Sequence, residues 1–265
     1  MKRFFAVFLT VMMLCVAAHA ETERGDLSVR FGGETVLTHQ ETEYRVRKRL
    51  TNVLFMGMEL DEETQKYETV MLILLSIDDN LKMVTPIMLD CTKECVSAEE
   101  AVQTEVLTEE VPENEVVTLG AVVSRYEDVK EGAQALVNEV NALLPDALIE
   151  DYLALDLAGL TLLDGLEGTE YEARMRAVAS QFTSVSAGDV NRLLEELSPY
   201  LTTDMKSGAL MKVVDKSERY ERKSMLRLCL TEETVQNNPK LTLWTDELWT
   251  NTIIETFLEE KSLPW

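Results

Sequence analysis

Thr69-Val-Met-Leu-Ile-Leu-Leu-Ser-Ile77, then Asp78-Asp79-Asn80, then Leu81-Lys-Met-Val-Thr-Pro-Ile-Met88 is the stretch that decides the fold. Two apolar runs of strand length flank a cluster of turn-forming residues, which is the pattern of a hairpin of two core strands. Upstream, Asn52-Val-Leu-Phe-Met-Gly57 is a shorter apolar run ending in glycine and predicts a further buried strand that feeds a loop. Downstream, Val129, Ala133, Leu136, Val137, Val140 and Leu144 recur at helical spacing until Pro145 stops them. Residues 151–157 alternate as a strand, and 158–164 read as the helix after it. Ser186 and Asp189 match a capping box ahead of Val190, Leu193, Leu194 and Leu197. A helix is expected over 203–215, a strand over 224–230 and a final helix over 246–261. Strands alternating with helices predict an α/β fold, a single layered domain with a central mixed sheet flanked by helices.

The charge balance narrows the function classes. The chain has 265 residues, 48 acidic against 25 basic side chains and a net charge of −23. Tracking nucleic acid needs clustered cations to neutralise phosphates, so DNA and RNA are poor partners for such a chain. Of the two histidines, His19 falls in a segment expected to be removed, which leaves His39. A two-histidine zinc site is thereby excluded, and a Ser-His-Asp triad could be built only on His39.

Lys2 and Arg3, the apolar run from Phe4 to Ala18, and Ala18-His19-Ala20 before Glu21 form the three-part pattern of a cleaved secretory signal peptide; a retained membrane anchor is the alternative. Cys15 follows Leu14, not the small residue that precedes a lipidated lipoprotein cysteine. Losing Lys2 and Arg3 takes the charge from −23 to −25. The expected organisation is a signal peptide over 1–20, a mobile or strand-bearing leader over 21–50, and one domain over 51–265. That domain carries an acidic insert at 94–116, with eight glutamates and no Lys or Arg, read as a solvated loop. The expected address is outside the cytoplasmic membrane and close to it. Cys91, Cys95 and Cys229 remain; Cys91 and Cys95 read as a local disulfide or as two unrelated thiols.

Several segments taken in order resemble one family. Residues 52–59, 66–72 and 75–78 resemble the opening of the LytR-CpsA-Psr domain of bacterial cell-envelope proteins. Ile149 to Gly168 is similar to its strand, helix and glycine-rich end, Ala173-Arg-Met-Arg-Ala177 to its Arg-x-Arg segment, and 201–205 to the start of its late helix. The resemblance implies a protein that binds a polyprenyl-pyrophosphate-linked glycopolymer and transfers it to peptidoglycan. It also implies arginines holding phosphate and carboxylates placing Mg2+ against developing charge. Carried over by position, metal ligation falls to Glu59 and Glu68, with Asp90 as a further acidic partner. Phosphate contact falls to Lys66, Arg174 and Arg176, with Arg125 as an unassigned donor.

The departures from the pattern are chemical. Lys66-Tyr-Glu-Thr69 stands where the family has Arg-Ser-Asp-Thr, and 88–92 has no arginine where the family has Pro-Arg-Asp-Thr. Lysine lacks the guanidinium fork that grips phosphate in two places. The expectation is therefore a diverged relative with weakened or lost activity, the alternative being a non-catalytic module that binds polyprenyl phosphate or a protein.

Overall fold

The computed structural model describes residues 37–96, 116–158, 198–206, 209, 212, 213, 216, 217 and 219–261. Its centre is a pair of long antiparallel strands, β3 (Leu50–Asp61) and β4 (Lys66–Asp78). Val53, Leu54, Phe55 and Met56 are buried in succession, as are Leu72, Ile73, Leu74 and Leu75. A strand buried on both faces reads as a continuous apolar run, which is why these stretches show no alternation.

The short strands β1 (Leu37–His39) and β2 (Thr42–Val46) precede this pair. After it come β5 (Met83–Leu89), β6 (Glu94–Val96), β7 (Val116–Thr118) and, beyond two short 3-10 turns, helix α1 (Val129–Leu143). The chain continues with β8 (Asp151–Asp156), β9 (Leu201–Thr203), β10 (Glu221–Arg222) and β11 (Leu226–Cys229). It closes with α2 (Glu232–Asn237), β12 (Thr242–Leu243), α3 (Asp246–Phe257) and β13 (Leu258–Glu260). The main sheet runs β12-β11-β5-β4-β3-β8-β9, with β10 also on β5. Strand β8 lies parallel to β3, and β11 parallel to β5, while β4 is antiparallel to both its neighbours, so the sheet is mixed and the fold is α/β. Small sheets β1-β2-β13 and β6-β7 flank it.

Helix α1 lays Ala133, Leu136, Val137 and Val140 on the face formed by Leu54, Met56, Leu72, Leu74, Tyr152 and Ala154. The opposite face, with Phe55, Ile73, Leu75 and Leu153, is equally buried. Asp128 caps α1 by accepting from the backbone N–H of Lys130 at 2.6 Å and of Glu131 at 3.3 Å.

The expected hairpin is β4–β5, paired from Leu72↔Leu89 to Asp78↔Met83. Other expectations change. The strand read as ending at Gly57 runs on to Asp61 and forms a second hairpin with β4. Its register shifts at Gly57/Met58, where Met71 and Thr69 are the successive partners, and Val70 is the extra residue. Glycine fits here because a Cβ would lie 3.1 Å from Met71 Cβ and 2.9 Å from its mobile Cε. The helix expected over 246–261 stops at Phe257, because Leu258–Glu260 pair with Val46, Arg45 and Tyr44 of β2. The helix expected from Thr203 begins later: Leu201–Thr203 form β9, and helical backbone appears at Ala209. The helices expected over 158–164 and 190–197 fall almost wholly outside the described residues. No described helix is long and apolar enough to cross a membrane.

Candidate functional site

In an open α/β sheet, ligands gather in the crevice beyond the carboxyl ends of parallel strands. Strands β3, β8, β5 and β11 point the same way, so their carboxyl ends share one edge with the beginning of β4. That edge holds Glu59, Asp156, Asp90, Leu230, Lys66 and Glu68. Four of the residues singled out by the sequence are thus on the same side of the molecule.

They are not gathered into one metal site. Glu59 and Glu68 are direct cross-strand partners, both exposed, on the part of the β3–β4 hairpin that overshoots the sheet. Lys66 is also exposed and stands opposite Asp61. The Asp61 carboxylate accepts from the Thr64 hydroxyl at 2.8 Å and the Glu63 N–H at 2.9 Å, and these bonds hold its pKa below the ordinary value. Asp90 has a different task. Its Oδ1 accepts from the Thr92 N–H at 2.9 Å and the Thr92 hydroxyl at 2.7 Å, and its Oδ2 accepts from the Leu230 N–H at 2.8 Å. It pins the turn after β5 to the end of β11. Among the described residues no three His, Cys, Asp or Glu side chains are grouped to hold a metal ion. The three carboxylates expected to hold Mg2+, Glu59, Glu68 and Asp90, do not form such a group. Arg174 and Arg176 lie outside the described residues.

The structure adds a pair that sequence reasoning left unassigned. The Tyr67 hydroxyl donates to Asp156 Oδ2 at 2.8 Å, while Asp156 Oδ1 accepts from the Ala158 N–H at 2.8 Å. Burial, reinforced by the neighbouring carboxylate, pushes Tyr67 up to about 12, so the phenol keeps its proton at neutral pH. Asp156 is itself nearly buried. Together they join the start of β4 to the end of β8 and fix the direction in which the chain leaves that strand. The signal for Tyr67 is its place between Lys66 and Glu68, where the family pattern has the small hydroxyl of serine.

Gly120 closes the site from the other side. Its N–H donates to the Cys91 carbonyl at 2.8 Å, and a Cβ there would lie 2.9 Å from the Thr69 carbonyl oxygen and 3.2 Å from that of Cys91. Only glycine allows this approach of three backbones. Cys91 and Cys95 are free thiols. Burial, aided by Asp90, pushes Cys91 up to about 12, and burial followed by the Glu139 carboxylate pushes Cys95 up to about 11. Arg125 is near enough to Cys95 for its charge to bear on the thiol from the opposite direction to Glu139.

A separate open depression of about 340 Å³ is lined by Asp128, Lys130, Glu131, Gln134 and Tyr152, and none of the expected site residues borders it.

No family model matches the chain, and no curated protein matches it. Among solved structures it is similar to B. subtilis TagV, at 13% identity and a TM-score of 0.47 over 79% of this chain and 98% of that one. It is similar to B. subtilis TagU, at 10% identity and a TM-score of 0.46 over 82% and 100%. A structure of TagT bound to LI-WTA gives 9% identity and a TM-score of 0.49 over 90% and 98%.

Proposed function

We propose that the chain is an exported cell-envelope protein of the LytR-CpsA-Psr type. In this reading it holds a polyprenyl-pyrophosphate-linked glycopolymer at the carboxyl edge of its sheet and has weakened or lost the transfer of that polymer to peptidoglycan. The ordered resemblance from Asn52 to Leu230 supports the substrate class, and the charged start, apolar run and Ala18-His19-Ala20 of the N-terminus support export.

One observation carries the loss of transfer. The three carboxylates assigned to the metal are divided between an exposed cross-strand pair, Glu59 and Glu68, and a turn in which both oxygens of Asp90 already accept from the protein. Among the described residues no three carboxylates are grouped to place a divalent cation against the developing charge of phosphoryl transfer, which supports weakened transfer. Binding is a lesser demand, for which Lys66, Arg174 and Arg176 supply positive charge toward phosphate.

Titration with polyprenyl monophosphate in detergent micelles tests the reading. Saturable binding is expected, weakened about tenfold by Lys66→Gln and again by the double change Arg174→Gln with Arg176→Gln, as for the loss of charged hydrogen bonds. Failure to bind would overturn the proposal.

A further inference from the structure

Basic residues are scarce in this chain and unevenly placed. Residues 45–49 hold Arg45, Arg47, Lys48 and Arg49 with no acid, and 206–223 carry six cations against three acids. The fold brings parts of both segments to one corner, at the amino ends of β3 and β5. The Asn80 side chain donates to the Lys48 carbonyl at 2.9 Å, and the Asp79 N–H donates to that of Arg49 at 3.2 Å. Lys216 Nζ reaches Asp79 Oδ2 at 2.7 Å, and the Tyr220 hydroxyl reaches Asp79 Oδ1 at 2.8 Å. Lys82 Nζ stands 3.1 Å from the Tyr220 oxygen and 4.9 Å above its ring centroid.

The acids of this corner are mostly committed. Asp79 pairs with Lys216, Asp78 with Arg47 at 3.6 Å, and Glu255 with Lys223 at 3.9 Å. Glu221 is exposed beside Lys82. Among the described residues, no ion pair takes up Lys48, Arg49 or Lys82, and all three are exposed. Glu150, Asp151 and Asp204 belong to the adjoining β8–β9 side, which starts level with Val53, inside the sheet. At the tip of the β4–β5 turn, between Asn80 and Lys82, Leu81 is 52% exposed.

An exposed leucine in a corner with exposed cations that no ion pair takes up matches the chemistry of an anionic bilayer surface, with phosphate headgroups above and acyl chains below. A soluble polyanion would use the cations and leave the leucine in water. We propose that this corner docks the protein on an anionic lipid membrane, with Lys48, Arg49 and Lys82 at the headgroups and Leu81 inserted between them. This goes beyond the function proposed above. The opposite end of β3 and β4 carries Glu59, Asp61, Glu62, Glu63 and Glu68, which the same surface repels. Docking therefore sets the 12 residues of β3, about 40 Å, upright on the membrane with the acidic edge outward. A polyprenyl tail many isoprene units long can span such a distance.

The test is sedimentation of the full chain with vesicles of phosphatidylcholine alone and with added phosphatidylglycerol, so that any binding through the N-terminal apolar run is common to both. A preference for the anionic vesicles is expected, falling roughly fivefold per cation removed and on the order of a hundredfold in the triple variant Lys48→Gln, Arg49→Gln, Lys82→Gln. Leu81→Ser is expected to lose roughly tenfold on anionic vesicles. Circular dichroism of each variant reports that it is folded. Equal binding to both vesicle types, or an anionic preference that survives the triple variant, would overturn the proposal. So would a triple-sensitive affinity for soluble polyphosphate with no affinity for vesicles.

Discussion

Both carboxylate oxygens of Asp90 accept hydrogen bonds from the protein, and that fact separates its role from those of Glu59 and Glu68. Asp90→Ala removes the partner of the Leu230 N–H and frees the Thr92 turn, and is expected to cost about 2–3 kcal/mol in urea unfolding. Glu59 and Glu68 are like charges placed directly across two strands, so Glu68→Gln is expected to stabilise by a few tenths of a kcal/mol up to about 1. Thermal unfolding with millimolar Mg2+ against EDTA discriminates further: an unchanged midpoint is expected, and a rise abolished by Glu68→Gln would restore the metal site. Asp204 supplies the pH dependence. Although Asp204 is exposed and its carboxylate accepts from the Tyr152 N–H, partial desolvation of that carboxylate raises its pKa, so folding modestly favours its protonated form. Below the unfolded-state pKa, near 4, the carboxyl is neutral in both states and carries no penalty; stability is lost as pH rises past that value toward the raised folded one. Asp204→Asn keeps the acceptor oxygen and removes the charge. It is expected to raise the unfolding midpoint at pH 7 and to leave it unchanged at pH 3.

At the scale of elements, what could be read from sequence follows from burial. Runs such as 69–77 are apolar because both faces of a central strand are covered, and the Asp78 carboxylate that starts their turn accepts from the Asn80 and Leu81 N–H groups at 2.7 and 2.9 Å. Helix α1 was equally legible, from its apolar stripe and from Pro145 after it. The outer half of the β3–β4 hairpin was not, since Glu59 to Gln65 is polar and held by pairing across strands. Nor was β13, because Leu258 continues the helical spacing of α3 and leaves it only to pair with β2, a partner more than two hundred residues away. The positions of Glu59 and Lys66 could be read from the resemblance, but their orientation depends on register. Gly132 tests the packing of α1. In a free helix Gly→Ala gains about 1 kcal/mol. Here the new Cβ would lie 2.9 Å from the Val123 carbonyl oxygen and 3.1 Å from its Cα, so Gly132→Ala is expected to destabilise by about 1–3 kcal/mol in denaturant unfolding.

For the whole molecule, charge is arranged along the strands. An acidic hairpin occupies the carboxyl edge of the sheet, the edge proposed above for the substrate, and exposed cations collect at the far corner. The negative balance that made nucleic acid a poor partner also marks the proposed site, where Glu59 and Glu68 face each other and Lys66 stands across from Asp61. The most direct measurement is release of polyprenyl phosphate when the purified protein is incubated with Mg2+, a polyprenyl-pyrophosphate-linked glycan and peptidoglycan. Bound substrate with no release above the protein-free control is the predicted result. Repeated turnover that disappears in Glu59→Gln or Glu68→Gln would contradict it.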